Sequence, residues 1–434
     1  MLPLRRTIPL VLGLCLLSCG PGKNQSGEGV TLILYHWMEK DRTLWEEGII
    51  KPFEEAHPGV HVVLQTSPYA LYVSKSLTSI ASGSRLADLM FAEDWFGQEL
   101  IRTKYARDLM PYVRRDISLK DYYSEALTEW RGSSGRDDNG VRDVLYGFPA
   151  CLGLTVLFYN KDMFDRAGIP YPDTTWTYDD LIRAGKTLTV DRDGDGIPDQ
   201  WGLSFDIHYT GLETLIYSQG GRMLTPDGKH AVLEEPATLR SLEFVRDIFL
   251  THRIASNTTS FVSSFESFVG ERAAMILIGS LGSINLENSP IRWDLTFPPK
   301  GPGGGRRSRR FSMAFMIPVN SPHPEEAWQL LLWILTKSPV EHINRQYEGM
   351  MPTYRPFAAS PLWLNAPPAH SRNLLVALEN GQSFPLFTPG WQEWRDNNLT
   401  PELMLMTQGK KSAAECARDA DRRINAVLDR VNAH

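Results

Sequence analysis

Short apolar strands alternate with helical segments along most of this chain, and this alternation constrains the fold more than any other feature. Apolar runs at 60–64, 88–92 and 154–159 predict strands. Helical patterns lie between and after them, with an N-cap and acidic first turn at Thr177–Asp180 and a strongly apolar helix at 325–336. The order of these elements predicts an α/β fold.

Length and charge limit the domain number and the kind of partner. A chain of 434 residues is too long for one ordinary domain and is expected to fold as about two or three. The formal net charge of −6 gives no electrostatic reason to expect nucleic acid or an anionic membrane surface as a partner. The 12 Trp, 15 Tyr and 18 Phe residues supply flat rings that suit ligand platforms, although core filling is their commoner use.

The amino-terminal segment has the plan of an export signal. Two arginines precede an apolar run at 8–17 that is too short to span a bilayer permanently. The run ends in Leu16-Leu17-Ser18-Cys19, which resembles the bacterial lipobox, where cleavage precedes a cysteine that carries a lipid. We therefore predict a lipoprotein signal peptide at 1–18, lipidation at Cys19 and a flexible tether at 19–27. An ordinary signal peptide with incidental cysteines is the alternative.

The remaining cysteines carry no recognisable chemistry. Cys151 and Cys416 have neither CxxC spacing nor the spacing of metal ligands. Two free thiols are expected, and one disulfide is the alternative.

Catalytic motifs are incomplete wherever they begin. Gly185-Lys186-Thr187 ends like a phosphate-binding loop, but Asp180 stands where the upstream glycine is needed. Ile278–Gly282 resembles a nucleophile elbow without its first glycine. Glu93 and Asp94 are adjacent on extended chain, so their carboxylates point apart and cannot flank one glycosidic bond. No catalytic residue is predicted, although carboxylates brought together from separate loops stay open as an alternative.

Several short segments together resemble a known family by their order and spacing. These segments are Leu32–Trp37, Ile50–Glu55, His57–Val62, Ile80–Ser84, Ala87–Met90, Tyr146–Pro149, Leu157–Phe164, Ala167–Pro170, Thr175–Thr177, Phe268–Met275 and Glu325–Trp328. They are similar to the extracellular solute-binding proteins of bacterial ABC importers, in the sugar-binding branch that includes maltose-binding protein. The chain departs from that pattern in a basic insert at 303–310, expected to be a solvated loop, and in lacking a recognisable sugar-specific set of cleft residues.

The resemblance implies a two-lobed periplasmic-binding-protein-like fold of type II, with lobes joined by a multi-crossover hinge. Lobe one is expected at 28–148 plus 281–317, and lobe two at 149–280 plus 318–434. The implied protein is a monomer in the bacterial cell envelope, anchored by its lipid, that captures a sugar or oligosaccharide and delivers it to an ABC permease. An exported carbohydrate-active enzyme and a binder of a non-sugar solute are the alternatives.

Candidate ligand-binding residues follow from the rule that strand ends converge on the crevice of open α/β sheets. Sugars need aromatic faces for the pyranose ring and carboxylates or amides for its hydroxyls. Core packing is the alternative role for the aromatic residues, and helix capping for Asp94. The predicted ligand-binding residues are Tyr35, Trp37, Glu39, Glu93, Asp94, Trp95, Tyr159, Tyr354 and Trp391.

An acidic loop at 191–199 has part of the pattern of a calcium site. Asp191, Asp193, Asp195 and Asp199 take positions one, three, five and nine of an EF-hand loop, with a glycine at six and the Ile197 carbonyl at seven. Position twelve, however, is a glycine rather than the bidentate glutamate, and a proline at 198 restricts the backbone. The loop predicts a structural calcium ion, with a plain surface hairpin as the alternative.

Overall fold

The structure, a computed structural model, describes residues 29–37, 42–131, 143–205, 207, 210–257, 261–286, 289–336, 350–365, 372–379, 381–382, 388 and 390–432. Its strands are β1 (Val30–His36), β2 (Val60–Thr66), β3 (Leu89–Glu93), β4 (Phe148–Asn160), β5 (Trp201–Phe205), β6 (Ala255–Asn257), β7 (Ala273–Gly279), β8 (Trp293–Thr296), β9 (Ser308–Met316), β10 (Met351–Pro352) and β11 (Gly381–Gln382). The signal peptide, Cys19, the tether and Glu39 lie outside the described residues.

Helices surround these strands. The α-helices are Arg42–Trp45, Lys51–Ala56, Tyr69–Ser82, Asp94–Arg102, Met110–Asp116, Ser124–Thr128, Lys161–Ala167, Tyr178–Leu188, Thr210–Ser218, Pro236–Leu250, Phe261–Val269, Pro324–Thr336, Arg355–Ala358, Pro361–Leu364, Arg372–Glu379, Trp391–Glu393, Thr400–Thr407 and Ala413–Asn432. Two π-helical turns, Glu46–Ile50 and Trp394–Leu399, and three 3₁₀ turns, Leu119–Asp121, Ser280–Asn285 and Pro302–Gly304, complete the described helical elements. None of the described helices is both long and apolar enough to cross a membrane.

The strand β4 links the two halves of one connected sheet. The strand order is β2-β1-β3-β9-β4-β7-β5-β6. Residues Phe148–Leu154 of β4 pair with β9, whereas Thr155–Asn160 pair with β7 and β8. All 13 residues of β4 are buried, as expected of a strand that serves two cores. The first lobe is built on β1, β2, β3 and residues 313–316 of β9, and the second on β5, β6 and β7. The start of β9 lies at the junction, and this arrangement confirms the two-lobed α/β prediction.

The chain crosses between the lobes more than once. It enters the second lobe along β4 and returns to the first along β9, whose residues 313–316 pair with β3. After the helix Pro324–Thr336 it passes β10, which pairs with β4, and ends in the core of the second lobe. The hinge therefore contains several strands.

The packing differs from the predicted lobe boundaries in two places. The helix Pro324–Thr336 packs in the first-lobe core, where Trp328 is fully buried, although 318–434 was expected in lobe two. The strand β8 pairs with the second-lobe part of β4, although 281–317 was expected in lobe one. An apolar helix or strand must bury its apolar surface against another element, and its own pattern does not specify which of the two cores provides that element.

Phe311 of β9 fills the junction between the lobes. Its ring lies so close to the backbone of Gly153 and Gly279 that a Cβ would fall 2.1 Å from the ring at Gly153 and 2.9 Å at Gly279. Any larger residue at either position would displace the ring from the hinge strands. These two glycines are therefore required by the side chain that they face.

Local sequence signals explain several element boundaries. Thr177 caps the helix Tyr178–Leu188 in a capping box, in which the Thr177 hydroxyl accepts from the Asp180 amide and the Asp180 carboxylate accepts from the Thr177 amide. This confirms the predicted N-cap. The turn before Pro52 is π-helical, at Glu46–Ile50. Proline has no N–H to donate to the helical hydrogen bonds, and the preceding turn widens to accommodate it.

Two predictions about individual residues are resolved by burial. Cys151 and Cys416 are free and buried in different cores, so the expectation of two free thiols is confirmed. The basic insert is a solvated loop only in part: residues 303, 304 and 307 are exposed, but the insert continues into β9, where Arg309 is only 1% exposed. Arg306 lies over the Phe297 ring at 5.0 Å. The buried arginine is tolerated because carboxylates surround its guanidinium group.

Candidate functional site

Residues at the ends of β1 and β3 form an aromatic and acidic group in the first lobe. The Trp37 ring stacks on Phe91, with centroids 5.1 Å apart, and meets the Tyr69 ring edge-on at 5.5 Å. The Tyr69 hydroxyl donates to the Glu93 carboxylate at 2.9 Å, and Trp95 Nε1 donates to the same oxygen at 3.1 Å. We call Trp37, Tyr69, Glu93 and Trp95 the lobe-one aromatic group.

Hydrogen bonds within this group hold the Glu93 carboxylate in place, and both tryptophans are half-buried. Burial raises the pKa of Glu93 above its ordinary value, while the hydrogen bonds from Tyr69 and Trp95 act in the opposite direction. A carboxylate held by two donors keeps further acceptor sites for a ligand hydroxyl. The group therefore combines ring faces with an oriented hydrogen-bond acceptor.

Asp94 lies at the start of the helix Asp94–Arg102 and is almost fully buried. One of its oxygens accepts from the Trp95 amide at 2.8 Å, and the other lies 3.2 Å from Arg309 Nη2. The same guanidinium group reaches Glu213, with 2.6 Å between Nε and Oε2. Burial raises the pKa of Asp94 well above its usual value, an effect that Arg309 opposes.

The second lobe contributes Trp391 and Arg395 to the same region. The rings of Trp95 and Trp391 stack with centroids 5.6 Å apart and an interplanar angle of 29°. The Arg395 guanidinium carbon lies 3.9 Å from the Trp391 ring centroid, and its positive charge partly opposes the rise that burial causes in the pKa of Glu93. The two lobes thus meet through an aromatic pair with charged neighbours.

Three candidate residues lie elsewhere. Tyr35 is in the first-lobe core, where its ring packs on Tyr72 at 4.6 Å and its hydroxyl donates to Ser67 at 3.1 Å. Tyr159 pairs with Met275 near the start of β7, roughly 13 Å along the strand from the Gly279 end that faces the hinge.

Tyr354 lies against Tyr122, with centroids 5.4 Å apart, and lines a separate cavity of about 270 Å³. That cavity also includes Ile117, Ala150 and Phe357. The structure therefore brings together Trp37, Glu93, Asp94, Trp95 and Trp391, and it does not bring Tyr35, Tyr159 or Tyr354 into that group.

Sequence reasoning missed four residues of the region: Tyr69, Glu213, Arg309 and Arg395. Tyr69 begins the helix that follows β2, so the strand-end rule that found Trp95 would also have found it. The arginine at 309 stands in a run of basic residues that is typical of solvent-exposed chain, and no local pattern marks its burial.

The acidic loop at 191–199 is exposed and tightly turned. Carboxylate oxygens of Asp191, Asp193 and Asp195, one from each residue, all lie within 4.8 Å of one another. Gly196 has a φ of +85°, which favours glycine at this turn. The Asp199 carboxylate accepts from the Arg192 amide at 2.7 Å. Calcium binding stays a prediction, because these hydrogen bonds also suit a loop without an ion.

Calorimetric titration of the metal-stripped protein tests the calcium prediction. Binding should give a saturable heat at millimolar calcium or below, and saturation at a hundred times the dissociation constant should stabilise the protein by about 2.7 kcal/mol. Replacing Asp193 and Asp195 by Asn should abolish the heat, because two carboxylate ligands are lost. Asp227→Asn, in another exposed turn, is the matched control. No heat from the unaltered protein would leave only the surface hairpin.

Comparison with known proteins identifies the family and the fold of this chain. Residues 38–341 match the family model described as bacterial extracellular solute-binding protein. A putative binding protein of Brucella abortus is 24% identical over 429 residues, which cover 96% of this chain and 97% of that protein. An arabinooligosaccharide-binding protein of Halalkalibacterium halodurans is 24% identical over 234 residues, 53% of this chain and 48% of that protein.

Solved structures show the same fold. An ABC substrate-binding protein of Listeria monocytogenes, in complex with cycloalternan, superposes with a TM-score of 0.80 at 19% identity and covers 92% of this chain and 99% of that chain. A maltose/maltodextrin-binding domain of Bdellovibrio bacteriovorus, bound to maltotriose, gives a TM-score of 0.74 at 19% identity, with 92% and 100% covered.

The family model, the named relatives and the superposed structures are all of binding proteins. The expectation of a binding protein rather than an enzyme is therefore confirmed. The match to the family model extends over most of the sequence and over both lobes. On this ground, the chain belongs to the bacterial extracellular solute-binding protein family.

Proposed function

We propose that this protein is the substrate-binding component of an ABC importer and that it captures a sugar or oligosaccharide between its two lobes. The observation that carries this proposal is the lobe-one aromatic group, whose Trp95 stacks on Trp391 of the second lobe, beside Arg395. The bound solute is delivered to the permease without chemical change. Sugars named for the relatives and superposed proteins, such as arabinooligosaccharide and maltotriose, support the choice of ligand class.

The side chains of the region match the apolar C–H face and the hydroxyl groups of a pyranose. The C–H face of a sugar ring packs on flat aromatic side chains, and Trp37 and Trp95 are half-buried rather than enclosed. The hydroxyl groups of the sugar need acceptors and donors held in fixed directions, which Glu93 and Tyr69 provide through their mutual hydrogen bond. An aromatic site without acids would favour less polar ligands.

The proposed membrane attachment rests on the sequence before residue 20. The family is extracellular, so the chain is exported, and a lipid on Cys19 would keep the protein near the permease. The test is to compare the membrane-bound fraction of the protein with that of a Cys19→Ala variant. We expect the variant to become soluble. A variant that stays membrane-bound would contradict the lipid anchor.

A glycan panel tests the proposed ligand class. Maltotriose, arabinotriose and galactotriose are added separately to protein refolded from denaturant, which removes co-purified ligand. Binding should raise the melting temperature, because a ligand that binds only the folded state stabilises it. Recovery of an intact glycan supports capture without chemistry, whereas cleaved glycan would contradict it. Mass spectrometry of solute released from freshly purified protein would overturn the sugar proposal if it identified only a non-sugar solute.

Trp37 and Trp95 provide a mutational prediction for the same proposal. Replacing either by Ala should weaken binding of the glycan found in the panel by roughly 1–3 kcal/mol, because the ring contact with the sugar is lost. Isothermal titration calorimetry measures this change. Trp293→Ala is the control, since Trp293 is also partly buried but packs on Phe158 in the second lobe. Unchanged affinity in both variants would show that neither ring contacts the ligand.

A further inference from the structure

The first turn of the helix Asp94–Arg102 reaches the second lobe through two adjacent residues of different chemistry. Asp94 forms an ion pair with Arg309 at 3.2 Å, and both side chains are at most 2% exposed. Trp95 stacks on Trp391 at 5.6 Å. The two contacts are made by consecutive residues, so they form or break together when this turn moves relative to the second lobe.

The partners of these two residues are anchored in the second lobe. The Arg309 amide donates to the Thr214 hydroxyl at 3.3 Å, and its guanidinium group pairs with Glu213. Both of these residues lie on the second-lobe helix Thr210–Ser218. Trp391 is 4% exposed within the second-lobe core. Arg309 stands at the start of the hinge strand β9, and these contacts tie it to the second lobe. The arginine and the tryptophan therefore move with the second lobe, while Asp94 and Trp95 move with the first.

We propose that Asp94 and Trp95 form a clasp that holds the two lobes together in the absence of ligand. Rotation about the hinge strands β4 and β9 that opens the lobes would separate Asp94 from Arg309 and Trp95 from Trp391. Opening thus costs an aromatic contact and a desolvated ion pair at the same time. Arg309 keeps its contact with Glu213 after opening, so the buried arginine does not lose all its charge compensation.

The clasp concerns the equilibrium between open and closed states of the free protein, which the proposed sugar binding does not specify. A contact made only in the closed state shifts that equilibrium by its own interaction free energy. Loss of one aromatic stack should therefore change the ratio of closed to open molecules about 2- to 10-fold toward the open state. The affinity for any ligand that binds the closed state should fall by at most the same factor, because affinity follows the closed fraction of molecules.

Small-angle X-ray scattering of the ligand-free full chain tests the clasp. The protein is unfolded in denaturant and refolded without added glycan, so that no co-purified solute holds the lobes closed. Trp95→Ala removes the stack, and Asp94→Asn removes the interlobe charge while retaining an oxygen for the Trp95 amide. We expect a larger radius of gyration in both variants than in the unaltered protein. Circular dichroism and thermal melting confirm that each variant is folded.

Matched controls separate interlobe contacts from ordinary packing. Tyr112→Ala removes a stack on Trp328 of nearly the same geometry, 5.5 Å and 27°, that lies within the first lobe. Glu402→Gln removes a buried carboxylate that pairs with Arg423 at 3.0 Å within the second lobe. Neither control should change the radius of gyration. Unchanged dimensions in both Trp95→Ala and Asp94→Asn would overturn the clasp, as would equal expansion of the controls. Because no sugar is added, this outcome is independent of the proposed ligand class.

Discussion

Replacing Arg309 by Met is expected to lower the free energy of unfolding by about 3–5 kcal/mol, as measured by urea denaturation. The guanidinium group is 1% exposed and lies against two carboxylates, Asp94 and Glu213, whose side chains are 2% and 5% exposed. Methionine fills a similar volume but leaves both acids without their buried cation. The loss therefore comes from uncompensated charge rather than from a cavity.

Two further variants isolate this effect. Arg292→Met also removes an arginine that pairs with two carboxylates, Asp162 and Asp165, but its side chain is 59% exposed. That control should change stability little, because water screens the remaining charges. Adding Glu213→Gln to Arg309→Met should restore part of the lost stability, since one uncompensated charge is removed. Equal losses in the Arg309 and Arg292 variants would show that burial does not determine the cost.

Much of the fold could be predicted from the sequence because its signals are local. The capping box at Thr177 and the apolar run of Pro324–Thr336 depend on spacing within one element, and both occur where they were expected. Burial on one face of the last helix is likewise a property of residues three and four apart. Signals of this kind do not depend on which part of the chain packs against them.

The assignment of elements to lobes depends on long-range pairing and could not be predicted in the same way. The helix Pro324–Thr336 is apolar enough for either core, and only its packing shows that it lies with the first. The strand β4 passes through both lobes, so whether Tyr159 faces the hinge depends on its antiparallel register with β7. That register places Tyr159 at the end of the strand away from the hinge.

In the candidate site, too, the residues marked by local signals could be predicted, and those brought together by long-range pairing could not. The strand-end rule located Trp37, Glu93 and Trp95, because the parallel neighbours β1 and β3 end at one edge of the sheet. The rule does not distinguish a side chain above the edge from one beneath it, and Tyr35 is beneath it in the core. Arg309 approaches Asp94 only through the fold of β9, across 215 positions of sequence.

A fully buried histidine at the end of β1 gives the second large prediction, which concerns acid stability. His36 lies against the Trp45 ring at 4.6 Å, and burial lowers its pKa from 6.5 to about 3. Between these two values the unfolded chain binds a proton that the folded protein does not. Stability is therefore fully present above about pH 6.5 and falls by roughly 1.4 kcal/mol for each pH unit below it, until the folded pKa is reached.

Urea denaturation at a series of pH values, compared between the unaltered protein and His36→Gln, isolates this contribution. Burial raises the pKa of Glu93 and Asp94, and a raised carboxyl pKa in the folded state has the opposite sign, because protonation on acidification then favours folding. Those contributions are present in both proteins and cancel in the difference. The difference in unfolding free energy should therefore change steadily with pH across the acid range. Parallel curves for the two proteins would contradict a neutral buried imidazole at this position, since glutamine does not titrate.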